Sequence, residues 1–265
     1  MKVSAICLGS MNWGQQNSEA EAHEQLEYAT SHGINFIDTA EVYPIPPEKE
    51  KRGRTESYIG NWLKKRGKRD DLVIASKVEG SWDGAGVPDR KRVREAIEGS
   101  LYRLQTDYLD LYQMHWPSRK TNFFGTRGFE GLGAEDISIE EVLDALNEEV
   151  VKPGKARYIG ISNETAWGLH EYVRLSSEKA FPRIVSIQNQ YSLLNRTFEI
   201  GLSEMVMREG IGMLAYSPLS FGVLSGKYLG SARPPGARFT LSERNRSRYN
   251  APHVQETIQD RKSVV

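Results

Sequence analysis

Ile34-Asn35-Phe36-Ile37-Asp38-Thr39-Ala40-Glu41-Val42-Tyr43 is the stretch from which the rest of the chain is best read. Gly33 precedes it and a Pro-rich stretch follows, so its apolar-biased start reads as a short buried strand. Asp38 then falls at the C-terminal end of that strand, and Tyr43 in the loop just beyond. Catalytic groups of βα barrels sit at that end of the strands, so the ends of the other strands are the next places to look.

Outward from this stretch the pattern repeats. The apolar run Leu72-Val73-Ile74-Ala75-Ser76-Lys77-Val78 carries a lysine near its end, and Tyr108-Leu109-Asp110-Leu111-Tyr112-Gln113-Met114-His115 ends in histidine. Further strands are expected at residues 4–11, 157–163, 183–189 and 212–217. Helices fit between them. Ser18 with Glu21 and Ser138 with Glu141 are capping-box pairs, with stops at Gly33 and Gly154. Tyr58, Ile59, Trp62 and Leu63 form one apolar face over 57–65, and Val93, Ile97, Leu101 and Leu104 recur at helical spacing. Two more helices are expected at about 165–177 and 198–209. The end of the helix before Gly154, Glu148-Glu149-Val150-Val151-Lys152-Pro153, looks one residue long. Seven strands alternating with helices, without a break in composition, argue for one βα barrel or an open doubly wound sheet.

The connection from Trp116 to Ile137 carries Gly125, Gly128, Gly131 and Gly133 among Phe123, Phe124 and Phe129. A loop of that length in a compact domain, with those aromatics, reads as a binding lid. Trp13, Trp82 and Trp116 extend the apolar wall expected around a substrate. Beyond Ser231 the sequence turns polar and arginine-rich, no further strand appears, and a helix is expected at 252–261.

The 265 residues, 38% hydrophobic and 26% charged, suit a soluble globular protein with a sizeable core. Thirty-five basic residues balance thirty-five acidic ones, so no global field favours nucleic acid or an anionic membrane. Cys7, the single cysteine, has no partner for an intrachain disulfide and reads as buried filler in a reducing compartment. Nothing approaches the roughly 18 consecutive apolar residues of a membrane span. A cytoplasmic location is expected.

Asp38, Tyr43, Lys77 and His115 come from three successive βα junctions, which a barrel brings to one face. A free phenol, with a pKa of about 10, is a poor acid near neutrality unless positive charge favours its phenolate. Lys77 can supply that charge, and Asp38 can pair with Lys77. His115 can orient a carbonyl oxygen or pass a proton. The set suits protonation of a carbonyl oxygen while hydride arrives at carbon, which requires a bound hydride donor. Singly, each residue has a bland reading: helix cap, rim contact, structural histidine. A metal-dependent hydrolase is the competing chemistry, but His23, His32, His170 and His253 fall on predicted helices or the tail, and no metal site is expected. There is no G-x-G-x-x-G for a Rossmann-type dinucleotide site.

These residues, with Ile6-Cys7-Leu8-Gly9, Asp107 to Trp116, Tyr158 to Asn163 and Ala215 to Lys227, resemble the aldo-keto reductases, most closely their Tas-like branch. The resemblance runs from about Val3 to about Arg238. It implies a (β/α)8 TIM-barrel fold in the α/β class, NADP(H) bound without a Rossmann fold, and reduction of aldehydes or ketones to alcohols. It implies Tyr43 as general acid, Lys77 and Asp38 as the pair that lowers its pKa, and His115 as the substrate-orienting group. For the cofactor it implies Ser10, Met11 and Asp38, with Ser162, Asn163 and Gln188 at the nicotinamide carboxamide and Tyr216 stacked on the ring. The run Ser217-Pro218-Leu219-Ser220-Phe221-Gly222-Val223-Leu224-Ser225-Gly226-Lys227 resembles the pyrophosphate strap, and Arg238 also reaches the cofactor. Without the family, that run is a Gly/Ser-rich loop of weak specificity.

The resemblance also implies an eighth strand, its helix and a segment that grips the adenosine 2′-phosphate, none of which has a counterpart after Arg261. The expectation is one barrel domain over 1–265, truncated to about seven strands, with 231–265 a polar, poorly ordered segment. An open barrel exposes strand edges, so self-association through that edge is expected. The expected partner is a small-molecule carbonyl compound, with neither nucleic acid nor membrane. The alternative is a catalytically impaired or regulatory barrel that binds a nicotinamide cofactor or a partner protein.

Overall fold

The computed structural model of the chain describes residues 2–81, 86–124, 128–129, 131–133, 137–243, 246–249 and 251–263. Trp82 and Gly125 of the sequence reading lie outside the described residues. Among the described residues seven strands line up in chain order: β1 (Cys7–Gly9), β2 (Phe36–Asp38), β3 (Val73–Val78), β4 (Leu109–Met114), β5 (Ala156–Ser162), β6 (Ile184–Gln190) and β7 (Gly212–Tyr216). One α-helix follows each of the first six: α1 (Glu19–Ser31), α2 (Arg54–Arg66), α3 (Arg90–Leu104), α4 (Ile139–Leu146), α5 (Ala166–Glu178) and α6 (Leu202–Glu209). This is a TIM-type α/β barrel of seven strands, as the alternation of apolar runs and capped helices implies.

Local chemistry sets the boundaries. Both capping boxes form: the Ser18 hydroxyl accepts from the Glu21 N–H at 3.3 Å while the Glu21 carboxylate accepts from the Ser18 N–H at 2.7 Å. Ser138 and Glu141 repeat the exchange at 3.2 and 3.0 Å. β1 is shorter than the expected 4–11. Ser4 and Asn35 bond through side chains, Ser4 N–H to Asn35 Oδ1 at 2.7 Å and Asn35 N–H to Ser4 Oγ at 3.2 Å, so the strand ladder begins only at Cys7. The long helix end before Gly154 is a π-turn over Asn147–Val151, in which the Lys152 N–H donates to Asn147 C=O at 2.9 Å. A π-turn is how a helix absorbs one extra residue without losing register.

Every residue of β3 and β4 is buried, so their alternation separates two buried faces rather than core from solvent. On one face Ala75 and Leu111 are register partners and pack with Phe36 and Val73, against the partly buried Cys7, Val185 and Leu214. Lys77 and its partner Gln113 continue that face two residues further on, toward the strand ends. Ser76 and Tyr112 occupy the other.

The chain divides into two compact units, Met1–Gln188 with Met205–Leu214, and Asn189–Glu204 with Ala215–Val265. The second has its own core, in which Val223, Leu224, Tyr228, Phe239, Tyr249 and Ile258 are buried together. It contains the short helix α7 (Arg238–Leu241) and α8 (Pro252–Ser263), the latter where a helix was expected. Among the described residues, no helix is long and apolar enough to cross a membrane.

Candidate functional site

In the first unit β2, β3 and β4 deliver Asp38, Lys77 and His115 to neighbouring positions. Lys77 is fully buried, and its Nζ donates to Asp38 Oδ2 at 2.6 Å and to the Thr39 carbonyl at 2.7 Å. Burial opposes its charge, but the Asp38 carboxylate and the Tyr43 phenol outweigh that and raise its pKa above the ordinary lysine value. Lys77 is therefore a fixed cation, held by a carboxylate that takes two further donors on its other oxygen. Gln188 Nε2 lies 2.9 Å and Gln113 Nε2 3.3 Å from Asp38 Oδ1.

Tyr43 is buried, with Lys77 Nζ 5.1 Å from its ring centroid. Its ring meets the His115 imidazole edge-on at 5.6 Å between centroids. His115 is also buried, and among the described residues its Nδ1 has no hydrogen-bond partner. Burial first, then the positive charges of Lys77 and Arg52, push its pKa well below the ordinary histidine value, so the imidazole is neutral at physiological pH. The structure thus brings Asp38, Tyr43, Lys77 and His115 together around one buried ammonium.

The ends of β5 and β6 add an amide-rich edge. Asn163, in the left-handed region at φ 57°, donates from Nδ2 to the His115 carbonyl at 2.8 Å. Asparagine tolerates that conformation better than most residues. The Ser162 hydroxyl donates to the Gln188 carbonyl at 2.7 Å. The side-chain amide oxygens of Asn163 and Gln188 are acceptors, and the Ser162 hydroxyl can accept as well as donate. That set offers acceptors to the N–H donors of a ligand. Ser10 is fully buried, with its hydroxyl and N–H both on the Asp38 carbonyl at 2.8 and 3.1 Å, so it braces the end of β2. Met11 packs against Ala40, Val42 and Tyr43.

Of the aromatics expected to form a wall, a chain of rings leads away from the site: His115 to Trp116 at 4.6 Å, Trp116 to Phe124 at 5.8 Å and Phe124 to Phe123 at 5.0 Å. Trp13 instead is buried, its indole N–H bonded to Gln25 of α1 at 2.9 Å, while Phe129 is exposed. Cys7 is half-buried. Burial and the Asp38 charge push its thiol pKa up, and a protonated thiol is a poor nucleophile.

The second unit holds the strap-like run. Ser217, Ser220, Phe221, Gly222 and Gly226 all have positive φ, and the run closes on itself through Ser220 N–H to Ser217 C=O at 2.8 Å, Gly222 N–H to Leu219 C=O at 2.9 Å and Gly226 N–H to Val223 C=O at 3.0 Å. Three of its side chains point inward: the Ser220 hydroxyl lies 2.9 Å from that of Ser192, and Val223 and Leu224 are part of the unit's core. Lys227 lies over the Tyr228 ring at 5.3 Å, and a Cβ on Gly222 would meet its Cε at 2.7 Å. Pro218 and Leu219 are exposed, Tyr216 and Ser217 half-buried, and the Arg238 guanidinium stacks over Phe221 at 5.0 Å.

Several contributors escaped the sequence reading. Gln113 gives no signal in a single sequence, being one polar residue inside an apolar strand. Arg119 and Glu164 pair through two bonds of 2.7 Å, tying the chain after β4 to the chain after β5. The buried Glu41 and Glu79 form a charge cluster with the half-buried Arg92 and the exposed Arg52. A Glu placed two or three residues beyond a strand-end acid or lysine is the one hint that was available.

The sequence model of the aldo/keto reductase family matches residues 5–263. Protein tas of Escherichia coli (strain K12) is 53% identical over 97% of this chain and 76% of its own length. The uncharacterized oxidoreductase YrpG of Bacillus subtilis (strain 168) is 36% identical over 87% of this chain and 67% of its own. Norsolorinic acid reductase B of Dothistroma septosporum is 28% identical over 90% of this chain and 60% of its own.

Proposed function

We propose, from the premise that the chain belongs to the aldo/keto reductase family, that it is an NADP(H)-dependent oxidoreductase reducing aldehydes or ketones to alcohols with Tyr43 as proton donor. The observation that carries this reading is the fully buried Lys77, bonded to Asp38 at 2.6 Å and 5.1 Å from the Tyr43 ring centroid.

A reduced nicotinamide, when bound, supplies the hydride. The protein's own residues do the rest. As the carbonyl oxygen gains negative charge, the Tyr43 O–H gives it a proton, and the fixed charge of Lys77 stabilises the phenolate left behind. Asp38 keeps Lys77 charged and aimed; Gln113 and Gln188 hold Asp38. His115, being neutral, can donate one N–H to the substrate oxygen and orient it toward Tyr43. Ser162, Asn163 and Gln188 have the acceptors to hold the nicotinamide carboxamide and fix which face of the ring meets the substrate. The rings of Trp116, Phe124 and Phe123 favour an apolar or aromatic group on the substrate.

The test is NADPH binding by fluorescence and NADPH consumption with an aromatic aldehyde, beside the same assay with NADH. Quenching on binding, with consumption matched by alcohol formed, is expected. Binding of NADPH without turnover of any aldehyde or ketone in a panel would favour a regulatory role instead.

A further inference from the structure

The chain segments that carry Asp38, Tyr43 and Lys77 are flanked by two buried carboxylates and two less buried arginines that the proposed reaction does not use. Glu41 lies between Asp38 and Tyr43 in the sequence, and Glu79 two residues beyond Lys77. Both are buried, at 5% and 4% exposure, and the Glu79 N–H donates to Glu41 Oε1 at 2.9 Å. Arg52 is ion-paired with Glu79 and lies 3.9 Å from Glu41. Arg92 of α3 mirrors it, paired with Glu41 and 3.8 Å from Glu79. Two carboxylates buried side by side are tolerated because each has its guanidinium.

The two arginines differ in what else they hold. Arg92 belongs to a helix. Arg52 belongs to the loop that leaves Tyr43, and the next residue, Gly53, donates its N–H to the Tyr43 carbonyl at 3.0 Å. Gly53 has φ 77°, and a Cβ there would meet Arg103 Cδ at 2.5 Å, so the turn at which the loop returns calls for glycine. One backbone bond and one side chain therefore close the loop onto the residues that flank the site.

We propose that Arg52 is a positioning residue for Tyr43 and Lys77: by bridging Glu41 and Glu79 it fixes, relative to each other, the two chain segments that carry the proton donor and its lysine. Its charge has a second effect, since with Lys77 it disfavours protonation of His115. The groups in contact with His115 are the Tyr43 ring at 5.6 Å, the Trp116 ring at 4.6 Å and the Asn163 amide on its carbonyl, and the charges of Lys77 and, less, Arg52 also act on it.

The proposal rests on the carbonyl-reductase reading, and its test has an arm that needs no turnover. Arg52→Gln and Arg52→Lys are made in the 265-residue chain. The His115 titration is followed by NMR, and kcat, KM for an aromatic aldehyde and Kd for NADPH are measured. In Arg52→Gln kcat is expected to fall about tenfold with Kd for NADPH within about twofold, and the His115 midpoint to rise only slightly, because burial and Lys77 still hold it down. Arg52→Lys is expected to restore the midpoint but recover only part of kcat, because an ammonium lacks the fork that spans two carboxylates. An unchanged midpoint and an unchanged kcat in Arg52→Gln, or a loss seen in thermal stability alone, would overturn the proposal. Should Arg52→Gln not fold, Arg52→Lys decides: full kcat there overturns it. A parent chain without turnover sinks the reductase reading, while the His115 midpoint still decides whether Arg52 acts on the site.

Discussion

Lys77 and Asp38 face each other from adjacent strands at 2.6 Å, the lysine fully buried and the aspartate held on its other oxygen by Gln188 and Gln113. Removing one partner of a buried pair leaves an uncompensated charge and costs about 3–5 kcal/mol, more than the pair itself contributes. Lys77→Met is expected to lose stability of that order and to lose turnover. Denaturant unfolding monitored by fluorescence checks the first, NADPH consumption the second. Stability within about 1 kcal/mol of the parent would mean that the carboxylate has another way to be neutralised.

His115 gives the chain a specific pH response. Its pKa in the fold is well below 6.5, so between the unfolded and folded values the unfolded state binds a proton that the folded state refuses. Stability is then lost as pH falls through about 6.5 and continues to fall until the folded pKa is reached. Thermal midpoints measured at falling pH are expected to drop over that range, and His115→Gln is expected to flatten the drop. Parallel curves for parent and variant would assign the acid sensitivity elsewhere.

Gly60 lies in α2 where it crosses α3, and a Cβ there would meet the Arg103 carbonyl oxygen at 2.1 Å and Leu104 backbone carbon at 2.8 Å. Alanine normally favours a helix over glycine by about 1 kcal/mol. Here the obstacle is backbone, which cannot swing away, and overpacking of that kind costs about 1–3 kcal/mol or more. Gly60→Ala is expected to lower the thermal midpoint; a rise would show that the two helices separate easily.

The π-turn over Asn147–Val151 predicts tolerance of a deletion. Removing Glu148, which is half-buried and pairs with Lys152, should convert the turn to α-helix while keeping Val150 and the Gly154 stop in place. Loss of one surface pair costs at most about 1 kcal/mol, or roughly 2–4 °C for a domain of this size. A much larger fall would show that the turn is needed where it is.

The barrel class, the three junctions that carry the site, both capping boxes and the extra residue of the π-turn were legible because each leaves a local mark: an apolar run, a Ser-x-x-Glu, a helix one residue too long. What was not legible depends on residues far apart in sequence. Glu41, Arg52, Glu79 and Arg92 read as ordinary loop and helix charges until the fold stacks them together. Gln113 becomes meaningful only through its register with Lys77. In the strap-like run the pattern of glycines and serines announced an unusual backbone, but not that the Ser220 hydroxyl turns inward to Ser192. Side-chain direction at positive φ is set by packing, which no local pattern encodes.

The proton-donor role of Tyr43 is tested most directly by single-turnover oxidation of bound NADPH on mixing with an aromatic aldehyde, comparing the parent chain with Tyr43→Phe. Phenylalanine keeps the buried ring beside His115 and Lys77 and removes only the hydroxyl. The rate is expected to fall by about 10²–10⁴ with NADPH affinity unchanged. Equal rates in the two proteins would contradict the assignment.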